Sequence, residues 1–305
     1  MRVTAGTDVQ RRRWLQWAGV CSLGGAAAAA SSASVPVPRI VASFSILADI
    51  TQALAPAGAE VSALVGPNAD AHVFEPTPSA ARRLAAADLV VTNGLGFEGW
   101  IERLIRISGF RGTTLVASRG LRPRMAGRGL DPHAWQDLAN ARLYVANISA
   151  VLQQLWPQQA PEIEQRRLAY LAQIDALDRQ VRLWLQPIPR ERRRVITSHD
   201  AFGYFGDAYG IDFFAPQGWN TDSEPSAAAV ARLIRQIRDQ GVRALFVENI
   251  SSRQLVAMIA KEGGVQLGGS LYSDALSGAQ GPASTYLKMF EHNARALAEA
   301  LARAA

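Results

Sequence analysis

The stretch PEIEQRRLAYLAQIDALDRQVRLWLQP, Pro161 to Pro187, decides how this chain is organised. Apolar residues recur at Ile163, Leu168, Leu171, Ile174, Leu177, Val181 and Trp184. Steps of three and four trace one face of an α-helix. About 26 residues rising 1.5 Å each span roughly 39 Å, the width of a domain. A helix of that length predicts a rigid connection between the parts of the chain on either side.

Both flanks alternate apolar strand-like runs with Ala-, Leu- and Arg-rich helical stretches. Before the helix, strands are expected at Arg39–Ser43, Glu60–Val65, Asp88–Thr92 and Thr113–Ala117. Helices are expected between them at Ile46–Ala55, Pro78–Ala86 and Trp100–Ser108, and another from about Asn140 to Trp156. After it, strands are expected at Val195–Ser198, Asp212–Ala215, Ala244–Val247 and Gln266–Leu271, with helices at Ala201–Tyr209, Pro225–Gln240, Arg253–Glu262 and Ala283–Arg303. Pro225, after Ser223, reads as a helix start. A βαβα rhythm argues for parallel sheets covered by helices. The expected fold is therefore α/β: two lobes with parallel sheets flanked by helices, joined by one long helix. The expected divisions are an export segment at 1–33, a first lobe at 39–160, the linking helix at 161–187 and a second lobe at 191–305.

The 305 residues, 49% of them hydrophobic, are enough for two such lobes. The N-terminus reads as a signal peptide. Arg11-Arg12-Arg13-Trp14-Leu15 precedes an Ala/Gly-rich run from Val20 to Ala30, with small residues at Ser31, Ser32 and Ala33. Paired arginines point to the twin-arginine export route. The run is too short for a membrane span of about 20 residues. Cys21, the single cysteine, lies mid-run after Val20, which disfavours lipid attachment; a chain cut near Ala33 would keep no cysteine. Up to Ala33, Arg2, Arg11, Arg12 and Arg13 stand against Asp8 and supply half of the net charge of +6. The cluster Arg190-Glu191-Arg192-Arg193-Arg194 reads as the solvated start of a strand. No interleaving of basic and aromatic residues suggests nucleic-acid binding.

The chain has four histidines. Three of them stand in turn-like segments after apolar runs: Asp70-Ala71-His72-Val73-Phe74-Glu75-Pro76, Asp131-Pro132-His133-Ala134-Trp135 and Thr197-Ser198-His199-Asp200-Ala201-Phe202. Asp274 has the same setting in Tyr272-Ser273-Asp274-Ala275. Open α/β sheets bind ligands where strands end. Imidazole and carboxylate together suit zinc, manganese or iron. Each residue also has a plain reading as a turn or cap residue. If the four converge, a divalent ion would sit between the lobes, with two groups from each. Far-side acceptors for the imidazoles are sought among Asp70, Glu75, Asp131, Asp200 and backbone carbonyls. His292, on the last helix, reads as a helix-surface residue.

Taken in order, these motifs resemble the metal-binding solute-binding proteins of zinc and manganese ABC importers, the cluster A-I family. The resemblance runs from Val41 to the end. It rests on Phe44-Ser45-Ile46-Leu47-Ala48-Asp49, His72 with Phe74-Glu75-Pro76, Asp131-Pro132-His133-Ala134-Trp135, Ser198-His199-Asp200-Ala201-Phe202 with Tyr204-Phe205, Glu224-Pro225-Ser226, Glu248-Asn249 and Asp274. It implies metal in the interlobe cleft, held by His72, His133, His199 and Asp274. The third position resembles glutamate more often in the manganese-selective branch; His199 there tilts the expectation to Zn(II), with Mn(II) as the alternative. Ala71 replaces a proline common before the first ligand. Arg122–Leu130 is basic rather than a metal-collecting His/Asp/Glu loop. The implied role is a monomeric periplasmic subunit handing its ion to an inner-membrane permease. The competing classes are a zinc hydrolase, against which the missing HExxH and the fourth ligand both argue, and a receptor for an iron chelate or cobalamin, which would not need three histidines.

Overall fold

In a computed structural model, the protein is described over residues 37–303 apart from 128, 241 and 243; the expected export segment and Cys21 lie outside the described residues. The first half runs β1 (Arg39–Phe44), α1 (Ser45–Leu54), β2 (Glu60–Val65), α2 (Pro78–Ala85), β3 (Leu89–Thr92), α3 (Ile101–Ser108) and β4 (Thr113–Val116). A small hairpin, β5 (Met125–Ala126) and β6 (Gly129–Leu130), and the helix α4 (Leu138–Leu155) follow. The linking helix α5 covers Ala160–Leu185. The second half runs β7 (Arg194–Ile196), α6 (Gly203–Tyr209), β8 (Asp212–Phe214), α7 (Ala227–Gln240), β9 (Ala244–Glu248), α8 (Arg253–Gly263), β10 (Gln266–Leu271) and α9 (Tyr286–Arg303).

The two large sheets share one topology. The first has order β2-β1-β3-β4 and the second β8-β7-β9-β10, with every pairing parallel. In such an order the connections diverge between the first and third strands, and their carboxyl ends leave a crevice. That crevice lies at the ends of β1 and β3 in one sheet and of β7 and β9 in the other.

Local chemistry sets many boundaries. Thr77 accepts the Ala80 N–H at 3.2 Å just before Pro78, and Asp137 accepts the Ala139 N–H at 2.8 Å. Helix α3 stops at Gly109, whose φ of 75° is left-handed. Helix α7 begins later than Ser223-Glu224-Pro225 predicted, because Ser226 Oγ accepts the Ala229 N–H at 3.2 Å.

Helix α5 packs on α1, α4 and α9. It buries Ile163, Tyr170, Ile174, Val181 and Leu185, while Leu168 is 54% exposed. The buried face is narrower and rotated from the expected one, because Tyr170 and Leu185 complete it and Leu168 falls outside. One hydrophobic core runs through residues of both sheets together with α5, from Ile40 and Phe44 to Phe246 and Leu271. The basic cluster is not simply solvated. Arg193 donates to Ile188, Tyr209 and Leu185 carbonyls at 2.9, 2.9 and 2.8 Å, closing the carbonyl end of α5 onto α6. Among the described residues no helix is long and apolar enough to cross a membrane.

Candidate metal centre

His72 lies beyond β2 and His133 beyond the hairpin that follows β4. His199 follows β7, and Asp274 follows β10. The structure brings all four together: one candidate ligand atom from each lies within 4.8 Å of every other. Among the described residues this is the one such grouping of His, Cys, Asp and Glu. The two oxygens of Asp274 share the three rings. Oδ2 is 3.3 Å from His72 Nε2 and 3.2 Å from His199 Nε2, and Oδ1 is 3.5 Å from His133 Nε2. Ligands at about 2.1 Å from a tetrahedral ion stand about 3.4 Å apart, so these separations suit one ion. The three Nε2 atoms and both Asp274 oxygens are buried without a hydrogen-bond partner in the protein. Buried polar atoms rarely go unpaired, and a shared cation satisfies all five at once. His292 sits elsewhere, with Nε2 3.0 Å from the Ser270 carbonyl oxygen and its ring edge-on to Tyr272.

Two of the rings are braced from behind. His133 Nδ1 lies 2.9 Å from Asp131 Oδ1, which also accepts the His133 backbone N–H at 3.0 Å. The other Asp131 oxygen meets Arg124 at 3.1 Å. Burial pushes the Asp131 carboxyl up, but the His133 hydrogen bonds and the Arg124 charge outweigh it and hold it below the usual range. His199 Nδ1 lies 2.6 Å from Glu248 Oε2, and Glu248 Oε1 accepts the His199 N–H at 2.9 Å. Burial pulls His199 down, yet the Glu248 and Asp274 carboxylates raise it well above the ordinary imidazole value. Asp274 mirrors this: burial raises it, and the facing His199 and His133 rings bring it well below the usual carboxylate range. A divalent ion with Asp274, Asp131, Glu248 and Arg124 sums to zero charge, which suits a dry site.

Glu248 was not among the acceptors sought in the sequence. Its signal was a carboxylate closing an apolar strand, at the crevice between β7 and β9. In the first sheet a carboxylate from the loop between β3 and α3, Glu98, joins the ends of β1 and β3. It is buried, accepts from Ser43 Oγ at 2.5 Å and from the Asn93 and Gly94 N–H groups at 2.6 and 3.2 Å. Burial raises its pKa against those donors. Asn93 in turn donates to the Pro132 carbonyl at 2.9 Å, beside His133. Of the other acceptors considered, Asp70 holds the His72 backbone N–H at 2.9 Å rather than its ring, and Glu75 is exposed. At Asp200 the backbone is engaged, its N–H donating to Gly218 O at 3.3 Å.

The first lobe also grips the Asp274 segment. Trp135 Nε1 and Gln136 Nε2 donate to Ser273 O at 2.9 and 2.8 Å. Ser45 Oγ accepts the Leu276 N–H at 3.0 Å, and Asn68 N–H donates to Leu276 O at 2.9 Å. Both lobes therefore fix the cluster.

Paired parallel α/β lobes on one core, with three imidazoles and a carboxylate converging between them, are the build of the solute-binding subunits of metal ABC importers. Residues 40–300 match the family described as zinc-uptake complex component A, periplasmic (ZnuA), and the chain belongs to that family. It is 34% identical over 280 residues to the zinc-binding protein TroA of Treponema pallidum, covering 87% of this chain and 89% of that protein. Over 256 residues it is 31% identical to the manganese-binding lipoprotein MntA of Halalkalibacterium halodurans, covering 84% of this chain and 85% of that one. The solved structure of the periplasmic zinc-binding TroA superposes with a TM-score of 0.83 at 31% identity, over 87% of this chain and 99% of that one.

Proposed function

We propose that this protein captures one Zn(II) ion through His72, His133, His199 and Asp274 and delivers it to the permease of an ABC importer in the inner membrane. The observation that carries this reading is the convergence of five buried, otherwise unpaired ligand atoms at separations matching one coordination sphere. Three neutral imidazoles and one carboxylate, with no thiolate, suit a borderline ion. Manganese is the second reading. Both Asp274 oxygens face the rings, which allows the bidentate binding and higher coordination number that Mn(II) accepts.

The chain acts as a monomeric carrier in the periplasm, exported through its twin-arginine segment at 1–33, and binds no nucleic acid. It is a receptor rather than an enzyme: the fourth position that a zinc hydrolase leaves for water is taken by Asp274. The core shared by both lobes and the long α5 favour small loop shifts over wide closure. Native mass spectrometry during Zn(II) and Mn(II) titration tests this. One bound ion per wild-type chain, with tighter Zn(II) and none retained by His199→Ala, is the expected result. An apo chain throughout, or equal affinity in His199→Ala, refutes it.

A further inference from the structure

The three imidazoles are not held alike. His133 and His199 each have a carboxylate behind Nδ1. His72 Nδ1 is buried with neither a hydrogen-bond partner nor a carboxylate neighbour among the described residues. His72 is 8% exposed as a residue against 0% for the other three, but this is at its backbone, since its side chain is only 1% exposed. It alone among the four lines an open cavity of about 730 Å³, with Val73, Trp100 and Asp222.

Besides the edge-on packing of its ring on Phe97, with centroids 4.6 Å apart, what holds His72 is its backbone. Its N–H donates to Asp70 Oδ1 at 2.9 Å, and Asp70 Oδ2 accepts from Thr221 Oγ1 at 2.6 Å. Thr221 lies between β8 and α7, in the other lobe. One carboxylate thus ties the His72 loop to a loop across the mouth of the site.

We propose that His72 is the exchange ligand, on whose side the ion enters and leaves, and that Thr221, through Asp70, is the positioning residue that sets the rate. This rests on the metal-binding reading above. An imidazole with no acceptor behind it can turn away by breaking its metal bond and its edge-on contact with Phe97, with no hydrogen bond from Nδ1 to give up. His133 and His199 would also have to leave a carboxylate that orients them and strengthens them as bases. Removing the Thr221 hydroxyl takes away a charge-assisted hydrogen bond and frees the loop more often.

The test mixes the full chain, loaded with Zn(II), with excess chelator and follows release by stopped flow. Thr221→Val should release about tenfold faster, and Thr221→Ser should restore the wild-type rate. Loading with Co(II) should give the same absorption spectrum for wild type and Thr221→Val, because the coordination sphere is untouched; a merely structural defect would change it. His72→Ala should keep measurable Zn(II) binding with fast release, and His133→Ala should lose far more affinity. Unchanged release in Thr221→Val, no rescue by Thr221→Ser, an altered Co(II) spectrum, or equal affinity losses for His72→Ala and His133→Ala would overturn the proposal. A wild-type chain that takes up no Zn(II) instead overturns the metal-binding reading itself.

Discussion

Glu248 grips His199 at two points: Oε1 accepts its backbone N–H at 2.9 Å, and Oε2 stands 2.6 Å from Nδ1. The last residue of β9 thereby fixes the first turn after β7 and aims Nε2 at Asp274. Such outer carboxylates set tautomer and basicity. Glu248→Gln should weaken Zn(II) binding about 10- to 100-fold with helix content kept. Competition titration against a chelating dye checks this, and wild-type affinity in the variant would show the grip to be incidental.

Proton competition should make the site pH-dependent. The raised pKa of His199 means that the ion displaces a proton from it around neutrality. Affinity should therefore climb steadily from pH 6 to pH 8. In the metal-free chain, the stabilisation from protonated His199 is full below about pH 6.5 and is lost as pH rises through its folded value. That from Asp274, whose pKa is lowered, is present above about pH 3.8 and is lost as pH falls through its folded value. Denaturation of apo protein across this range, paired with Zn(II) titrations, tests both signs; a flat affinity profile counts against them.

Away from the site, burial raises Asp49 to about 6, opposed by the Tyr286 N–H that it accepts at 2.7 Å. A raised carboxyl favours the fold while protonated, so this contribution is full below about pH 3.8 and lost as pH rises through about 6. Asp49→Asn should keep the Tyr286 bond and stabilise the chain on the order of 1 kcal/mol at pH 7–8. The gain should vanish near pH 4. Thermal melts at both pH values decide it, and equal shifts at the two would remove burial as the cause.

His292 provides the internal control. Its ring contacts Ser270 O and Tyr272 and is not part of the cluster. His292→Ala should leave Zn(II) affinity unchanged in the same titration. A loss comparable to that of His199→Ala would show that the four-residue assignment is incomplete.

The strands, the long helix and the four converging residues were legible because each depends on local signals: apolar runs, helical periodicity, and polar groups placed just past strand ends. The bracing was not. Asp131 stands two residues from His133 and was among the acceptors sought, but Glu248 is 49 residues from His199 and becomes its neighbour only through the β7–β9 pairing. Arg193 looked like part of a charge run, and its role depends on where the carbonyls of α5 end. The hairpin β5–β6 was missed because two-residue strands, Met125–Ala126 and Gly129–Leu130, have no alternation to read. Leu168 fitted a step of three or four, but the core is reached from the face that Tyr170 and Leu185 share.

Anomalous diffraction at the zinc edge from crystals of the loaded chain tests the central claim most directly. The expected map has one peak between the lobes, about 2.0–2.2 Å from His72, His133 and His199 Nε2 and from Asp274 carboxylate oxygen. A peak elsewhere, or one that any of these four side chains fails to reach, would contradict the account.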